Sequence, residues 1–167
     1  PPTTSPRKDV YAFVEKEMLE AIPNLSSDVN ASTYGRPTKF TGYALLAKLY
    51  LNSEVYVGQK RYDDVVKMCD NIISSNKFAL ESNFAKMFDI DNGAHIKEFI
   101  LAVPYDNISG GQFFARYYLH RAMRAKYELP FTPSGAISVQ EEYLPNFNEE
   151  NDVRSQMLLK GKQYLAN

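Results

Sequence analysis

The strongest constraint on the fold of this chain is a helical hydrophobic period across residues 38–75. From Thr38 to about Val57, apolar or small side chains recur at intervals of three or four residues, at Tyr43, Leu46, Ala47, Tyr50 and Leu51. After a break at residues 58–60, the period returns from about Arg61 to Ser75, at Tyr62, Val65, Cys69, Ile72 and Ile73. Such spacing places side chains on one face of an α-helix. The sequence therefore predicts two consecutive amphipathic helices.

A further helix is predicted ahead of this pair, at residues 9–25. Its apolar positions keep the same period, at Tyr11, Val14, Met18, Ile22 and Leu25. Asp9 is expected to cap the first turn, and Pro23 is expected to stop the helix near its end.

The first of the paired helices carries a bulky–small–aromatic pattern. Tyr43, Leu46, Ala47 and Tyr50 occupy positions that resemble those of the tetratricopeptide (TPR) repeat, whose small residue lets the next helix approach closely. The alternative is a plain antiparallel helical hairpin with no family meaning. Both interpretations predict one helix–helix seam, formed by Leu46, Ala47, Tyr50, Val65, Cys69 and Ile72.

The second half of the chain is less regular. Residues 98–103 are apolar and bounded by Pro104, which predicts a strand or an extended segment. Residues 107–112 are predicted to form a loop, residues 113–127 a helix, and residues 130–151 irregular structure. The predicted fold class is mainly α, with TPR-like antiparallel helix pairs in an α–α superhelix and an irregular, loop-rich second half. One fragment spans residues 1–167, with a helical part at 9–92 and a loop-rich part, the candidate ligand face, at 93–167.

Charge and residue content exclude several classes of protein. Lys and Arg number 19 against 20 Asp and Glu, a formal net charge of −1. Nucleic-acid binders normally show a basic excess, so the arginines among the tyrosines of residues 116–127 are interpreted as a solvated helix face. The single cysteine, Cys69, excludes an internal disulfide and a four-cysteine zinc site.

The sequence also lacks the usual catalytic and cofactor motifs. It contains two histidines, His95 and His120, but no HExxH pair, no serine elbow and no glycine-rich phosphate loop. Asp89 to Gly93 is similar to the start of a calcium loop, but its glycine comes one position early and the twelfth position is Ile100. An ordinary Asn-Gly turn is the simpler interpretation. We therefore expect no metal, no cofactor and no enzyme activity.

An ordered series of motifs runs along nearly the whole chain. It begins with Gly35-Arg36-Pro37-Thr38-Lys39 and with Ala44-Leu45-Leu46-Ala47-Lys48-Leu49-Tyr50-Leu51. It continues through residues 61–64, 69–75, 78–80, 84–88 and 97–103, and ends at 147–154 with Asp152-Val153-Arg154. In order and spacing this series resembles the SusD/RagB family of nutrient-binding surface lipoproteins from Bacteroidetes.

That resemblance implies a function and a location. Members of this family bind glycans, or in some cases peptides, without cleaving them. They serve polysaccharide (starch) utilisation on the outer face of the outer membrane. They cap a SusC-like TonB-dependent transporter, which the TPR helices face. The implied partners are thus an oligosaccharide or polysaccharide and that transporter, with membrane contact only through a lipid anchor absent from this chain. The chain is then expected to be a soluble internal fragment of a longer protein.

Two other functions stay open at this point. The helices alone would also suit a TPR-type module that binds a protein or peptide segment. An α-helical carbohydrate-active enzyme is the third possibility, because two carboxylates distant in sequence can meet in space.

The candidate ligand site is the densest aromatic and polar stretch of the second half. Glycans present apolar C–H faces ringed by hydroxyls, so a site needs exposed aromatic faces beside amides or carboxylates. The predicted glycan-binding residues are Tyr105, Asp106, Asn107, Gln112, Phe114, Tyr117 and Tyr118. The alternative is that these aromatic side chains pack the loop against the helices.

Overall fold

The computed structural model describes residues 4–105, 114–148 and 150–164. Its contacts divide the chain into two units, each made of two separate stretches of sequence. The first unit comprises the residues up to Ser82 together with Ile90–Pro104, and the second comprises Asn83–Asp89 together with the residues from Tyr105 onward. Across the described residues the regular structure is helical, without a strand, which confirms the mainly α prediction.

The first helix, α1, runs over Arg7–Ala21 and continues as a 3₁₀ turn at Ile22–Asn24. The expectation that Asp9 caps this helix was wrong. The cap residue is Pro6, whose carbonyl oxygen accepts a hydrogen bond from the Asp9 N–H at 3.0 Å, and Asp9 lies in the first turn. A carboxylate there is favoured by the partial positive charge of the helix N-terminus. Pro23 lies within the 3₁₀ turn, near the end that was predicted.

The helix predicted at residues 38–57 is two helices, α2 (Lys39–Leu51) and α3 (Ser53–Val57). Thr38 and Thr41 form a reciprocal capping box at the start of α2, so that two backbone N–H groups of the first turn are satisfied. At the other end, the amide of Asn52 donates to the carbonyl of Lys48 at 2.9 Å. Side-chain bonding of this kind competes with the helical pattern, and here it coincides with the break at Asn52.

The core of the first unit lies between α2 and α4 (Tyr62–Ile73), which form the most extensive helix–helix contact. Its buried residues are Ile22, Leu46, Ala47, Tyr50 and Met68, with Met18, Tyr43, Leu49, Val65 and Cys69 packed against them. The predicted seam is thus confirmed for Leu46, Ala47, Tyr50, Val65 and Cys69. Ile72 is half-buried and lies outside this cluster.

Gly42 sets how closely α2 approaches the 3₁₀ turn after α1. A Cβ atom at this position would lie 2.4 Å from Cγ1 of Ile22, a distance that no side chain tolerates. Gly42 is itself buried. The absence of a side chain therefore allows the backbone of α2 to pack directly on Ile22.

A polar cluster ties α1, α2 and α4 together at one edge of this core. The guanidinium group of Arg61 donates to Glu15 of α1 at 2.5 Å and to Asp64 of α4 at 2.7 Å, and it lies 4.1 Å above the centre of the Tyr50 ring. Burial, assisted by a hydrogen bond with Glu15, raises the pKa of Tyr50 to about 12. Burial works against the charge of Arg61, but Glu15 and Asp64 outweigh it and raise the pKa of the guanidinium group.

Residues 90–104 complete the first unit without forming the predicted strand. Ile96 is 4% exposed, and the N–H of Ala79 donates to the carbonyl of Lys97 at 3.2 Å. The carboxylate of Glu98 accepts a hydrogen bond from the backbone of Glu81 at 2.7 Å. Residues 98–103 themselves consist of a turn, bends and irregular structure, so the prediction of a strand was wrong, while its alternative, an extended segment without strand pairing, is not contradicted. A strand needs a ladder of backbone pairs, and apolar composition alone does not supply a pairing partner.

The second unit is built from short elements. These are α5 (Phe114–Tyr118), α6 (Met123–Lys126) and 3₁₀ turns at Phe84–Phe88, Glu141–Phe147 and Val153–Met157. The single helix predicted at residues 113–127 is therefore α5 and α6 separated by residues 119–122, with Phe113 outside the described residues. Met123 and Pro133 are buried here.

Local capping supports this unit. The carboxylate of Asp152 accepts hydrogen bonds from the backbone and the guanidinium group of Arg154, which lower the pKa of Asp152.

Candidate functional site

Helix α5 carries three aromatic side chains that share one side of the helix. Phe114, Tyr117 and Tyr118 are separated by three and four residues, the spacing of neighbours on a helix surface. The rings of Phe114 and Tyr118 have their centres 6.3 Å apart, with an angle of 31° between their planes. The exposed fractions are 62% for Phe114, 44% for Tyr117 and 59% for Tyr118. We call these three residues the α5 aromatic face.

Backbone hydrogen bonds from residues 134–137 hold α5 in place. The N–H and the hydroxyl of Ser134 both donate to the carbonyl of Arg116, at 2.7 and 3.0 Å, and the N–H of Ile137 donates to the carbonyl of Tyr117 at 3.0 Å. A helix of five residues is far too short to be stable alone in water. These bonds to its carbonyl groups therefore help to order α5.

Beside α5, the guanidinium group of Arg116 lies 5.6 Å from the centre of the Phe131 ring. Gly135 has a positive φ of 64°, and a Cβ atom added there would lie 3.6 Å from the backbone of His120. The residues that hold α5 thus pass close to the segment that follows it.

The structure describes four of the seven predicted site residues. Tyr105, with 59% of its surface exposed, belongs to the second unit, as does the α5 aromatic face. The other three predicted residues, Asp106, Asn107 and Gln112, lie outside the described residues. The assignment of these positions to a ligand site stays a prediction.

The α5 aromatic face offers a defined chemistry to a ligand. Its rings provide apolar surface, and the two tyrosines add phenolic hydroxyls that both donate and accept hydrogen bonds. A flat molecule with C–H groups on its faces and hydroxyls at its edges, such as a sugar ring, matches both features.

A cleft in the first unit was not anticipated from the sequence. Its volume is about 360 Å³, and it lies between the loop before α2 and the segment that closes the unit. Val29, Thr33, Tyr34 and Arg36 line it from one side, and His95, Ile96, Lys97 and Phe99 line it from the other.

The sequence signal for this cleft was Gly35. Its φ of 76° suits glycine, and a Cβ atom there would lie 2.9 Å from the ring of Pro104. Residues 30–36 and Pro104 can therefore approach one another closely.

The described residues also bear on metals and membranes. Among them, no group of three or more His, Cys, Asp or Glu side chains could hold a metal ion. Asp89 and Asp91, in the segment similar to a calcium loop, are both exposed. None of the helices seen in residues 4–105, 114–148 and 150–164 has the length and apolar character required to span a bilayer.

This helical chain was compared with protein-family models and with characterised proteins. No protein-family model matches it. A similarity to one characterised protein supports a SusD-like relationship. That protein is the starch-binding protein SusD of Bacteroides thetaiotaomicron, which is 27% identical over 114 residues, covering 66% of this chain and 20% of SusD. The chain thus spans about a fifth of the length of this relative.

Proposed function

We propose that this chain is part of a SusD/RagB-family protein that binds an oligosaccharide without cleaving it. The observation that carries the proposal is the α5 aromatic face, three aromatic side chains that are 44% to 62% exposed on one short helix. The similarity to a protein named for starch binding supports the same class of ligand.

The energetics of the α5 aromatic face favour a binding role over a packing role. A buried aromatic side chain removes roughly 150–250 Å² from water, which is worth several kcal/mol. Phe114 and Tyr118 are 62% and 59% exposed, so folding gains less than half of this burial free energy from them. Exposed apolar groups that lie together mark interaction sites. A sugar ring stacked on the α5 aromatic face would remove these rings from water and so gain that free energy on binding.

In this proposal the ligand is delivered to a TonB-dependent transporter at the cell surface. The first unit would contact that partner. Helix α1 supports this role, since Val10, Phe13 and Val14 lie three and four residues apart and are 47%, 62% and 37% exposed. Co-purification of the full-length protein with a porin-like transporter is expected, and a full-length protein that stays alone in mild detergent would contradict this part of the proposal.

The proposal is tested by measuring the binding of maltoheptaose by calorimetry in alanine variants of the exposed aromatics. Tyr105→Ala, Tyr117→Ala and Tyr118→Ala are each expected to weaken binding by about fivefold, because each removes a stacking contact worth ~1 kcal/mol. Phe114→Ala, which removes the third ring of the α5 aromatic face, should also weaken binding. Phe13→Ala is its matched control, since Phe13 is a phenylalanine of the first unit with the same exposed fraction.

Each result has one interpretation. Binding that is unchanged in all the tyrosine variants, or a collapse of their melting temperatures, would return these side chains to a packing role. Binding of a peptide with no affinity for glycans would favour the TPR-type module. Release of shorter sugars from the glycan would favour the enzyme.

A further inference from the structure

The cleft of the first unit carries charge of one sign. Arg36, Lys77 and Lys97 line it, and no aspartate or glutamate is among its lining residues. His95 lines it as well and adds an imidazole that can donate a hydrogen bond. The chain as a whole has 19 basic against 20 acidic residues, so this cleft is a local excess of positive charge in a nearly neutral protein. A cleft lined by one sign of charge concentrates ligands of the opposite sign.

These cationic groups are not used by the protein itself. Within the described residues, the side chains of Arg36, Lys77 and Lys97 form no ion pair and no hydrogen bond. Arg61 shows the contrast, because its guanidinium group is engaged by both Glu15 and Asp64. The charges in the cleft are therefore available to an anion from outside.

The cleft also has an apolar surface. Ile96 is buried, and Phe99 and Ile100 are half-buried where they line it. Tyr34 adds a half-buried aromatic ring with a hydroxyl group. A bare inorganic anion would use only the charges, whereas a sugar ring that bears an acid group would use both the charges and the apolar surface. The volume of about 360 Å³ falls within the range of roughly 300–1,000 Å³ that small-molecule sites occupy.

One wall of the cleft is held in shape before any ligand binds. The side-chain oxygen of Asn30 accepts hydrogen bonds from the N–H and the hydroxyl of Ser32, at 2.8 and 2.7 Å. The N–H of Arg36 donates to the carbonyl of Thr33 at 3.0 Å, and Gly35 packs against Pro104. A preformed wall lowers the entropy that binding would otherwise lose.

From these observations we infer that the cleft binds a carboxylate-bearing sugar unit, so that the oligosaccharides recognised by this protein include acidic ones. The inference rests on the proposed function in its choice of a sugar, and it adds a second site, in the first unit, to the α5 aromatic face of the second. The carboxylate is bound by Arg36 and Lys97, with Lys77 nearby, and the ring lies on the apolar surface.

The test measures the binding of trigalacturonate by calorimetry, with maltotriose as the neutral probe and sodium sulfate as the bare anion. The variant Arg36→Gln/Lys97→Gln is expected to weaken trigalacturonate binding by about tenfold or more, because it removes two charge-assisted contacts. The control Lys8→Gln/Lys67→Gln removes the same charge from exposed positions of the first unit outside the cleft, and it should change the affinity by no more than about twofold. Added salt should weaken trigalacturonate binding and leave maltotriose binding unchanged.

Three results would overturn the inference. The first is equal trigalacturonate binding in the cleft variant and the control. The second is maltotriose binding as tight as that of trigalacturonate and equally sensitive to the cleft variant. The third is sulfate binding as tight as that of trigalacturonate, which would define an anion site without sugar recognition.

The two proposals fail separately. If Tyr117→Ala and Tyr118→Ala weaken maltoheptaose binding as expected while the cleft variant binds trigalacturonate normally, the cleft assignment is wrong and the proposed function stands. The opposite result is a cleft variant that no longer binds trigalacturonate and tyrosine variants that bind every glycan like the unchanged chain. In that case the assignment of the α5 aromatic face as a glycan site is wrong and the cleft assignment stands.

Discussion

In the first unit, large side chains of α2 and α4 point at each other, and Leu46, Tyr50 and Met68 are almost fully withdrawn from water. In the second unit, the aromatic residues of α5 extend into solvent, and hydrogen bonds to backbone carbonyls hold the helix. The first unit buries its apolar side chains against each other, which stabilises the fold. The second obtains local order from backbone hydrogen bonds and leaves aromatic surface exposed to solvent.

This contrast separates two uses of the same residue type. Phe40, 6% exposed, packs edge-on against Phe78 with ring centres 5.3 Å apart, whereas Phe114 is 62% exposed. A count of phenylalanines does not distinguish them. Their difference follows from whether a neighbouring element covers the ring.

The largest effect on stability is expected from Phe40→Ala. Removing a buried aromatic ring should lower the free energy of unfolding by about 3–5 kcal/mol, since it leaves a cavity against Phe78. Chemical denaturation measures this change. A loss below about 1 kcal/mol would mean that the first unit does not depend on its aromatic packing.

Leu46→Ala should cost nearly as much. Leu46 is fully buried, and its truncation is expected to lower the free energy of unfolding by about 2–5 kcal/mol. Leu45→Ala is the control, since the neighbouring residue on the same helix is 49% exposed. Equal losses in the two variants would contradict the orientation of α2.

Ala47→Phe tests how closely α2 and α4 approach. A bulky side chain at this buried position should force the helices apart and lower the free energy of unfolding by about 1–3 kcal/mol. Thermal unfolding is the measurement. An unchanged melting temperature would be incompatible with a close seam at Ala47 and with its TPR-like interpretation.

A smaller, pH-dependent effect is expected from Tyr50. Because its pKa is about 12 in the folded chain and about 10 in an unfolded one, the fold favours the neutral phenol. This contribution is complete below pH 10 and is lost as the pH rises from about 10 to about 12. Tyr50→Phe cannot ionise, so the stability of the unchanged chain relative to this variant should decline over that interval. A constant difference would show that folding does not raise the pKa of Tyr50.

The smallest effect is expected from Phe114→Ala. Truncating this exposed ring should change the free energy of unfolding by no more than about 0.5 kcal/mol. Set against Phe40→Ala, the pair measures the contrast between the units directly. A loss comparable to that of Phe40→Ala would remove the distinction, because it would show that Phe114 also serves packing.

The helical part could be predicted because its signal is local. The spacing of Leu46, Ala47 and Tyr50 placed them on one face, and that face is buried. The apolar face predicted for α4 included two residues that are not buried, since Tyr62 and Ile73 are 49% and 71% exposed. Met68, three residues after Val65, belonged to the same face and was the missing core residue.

The remaining features depend on neighbours that the sequence does not reveal. The break at Asn52 coincides with one side-chain hydrogen bond, and among the described residues no strand pairs with residues 98–103. The cleft arises where residues 29–38 and 94–102 meet, although they are far apart in sequence. For the predicted site, the aromatic composition of residues 114–118 was visible, but their exposure depends on how residues 134–137 hold α5.

The division of the chain into two discontinuous units affects how it can be made and cut. Helices α1 to α4 can assemble once residue 82 has been synthesised, but Ile96 and one wall of the cleft arrive only with Ile90–Pro104. The second unit begins before the first is complete, at Asn83–Asp89. The 3₁₀ turn in this stretch contacts the turn at Val153–Met157. A single proteolytic cut therefore cannot release both units whole. Cleavage within 83–89 would leave the helix pair packed but separate it in the chain from the segment that completes it. Contacts between segments so far apart in sequence form late, because the loop between them must close first.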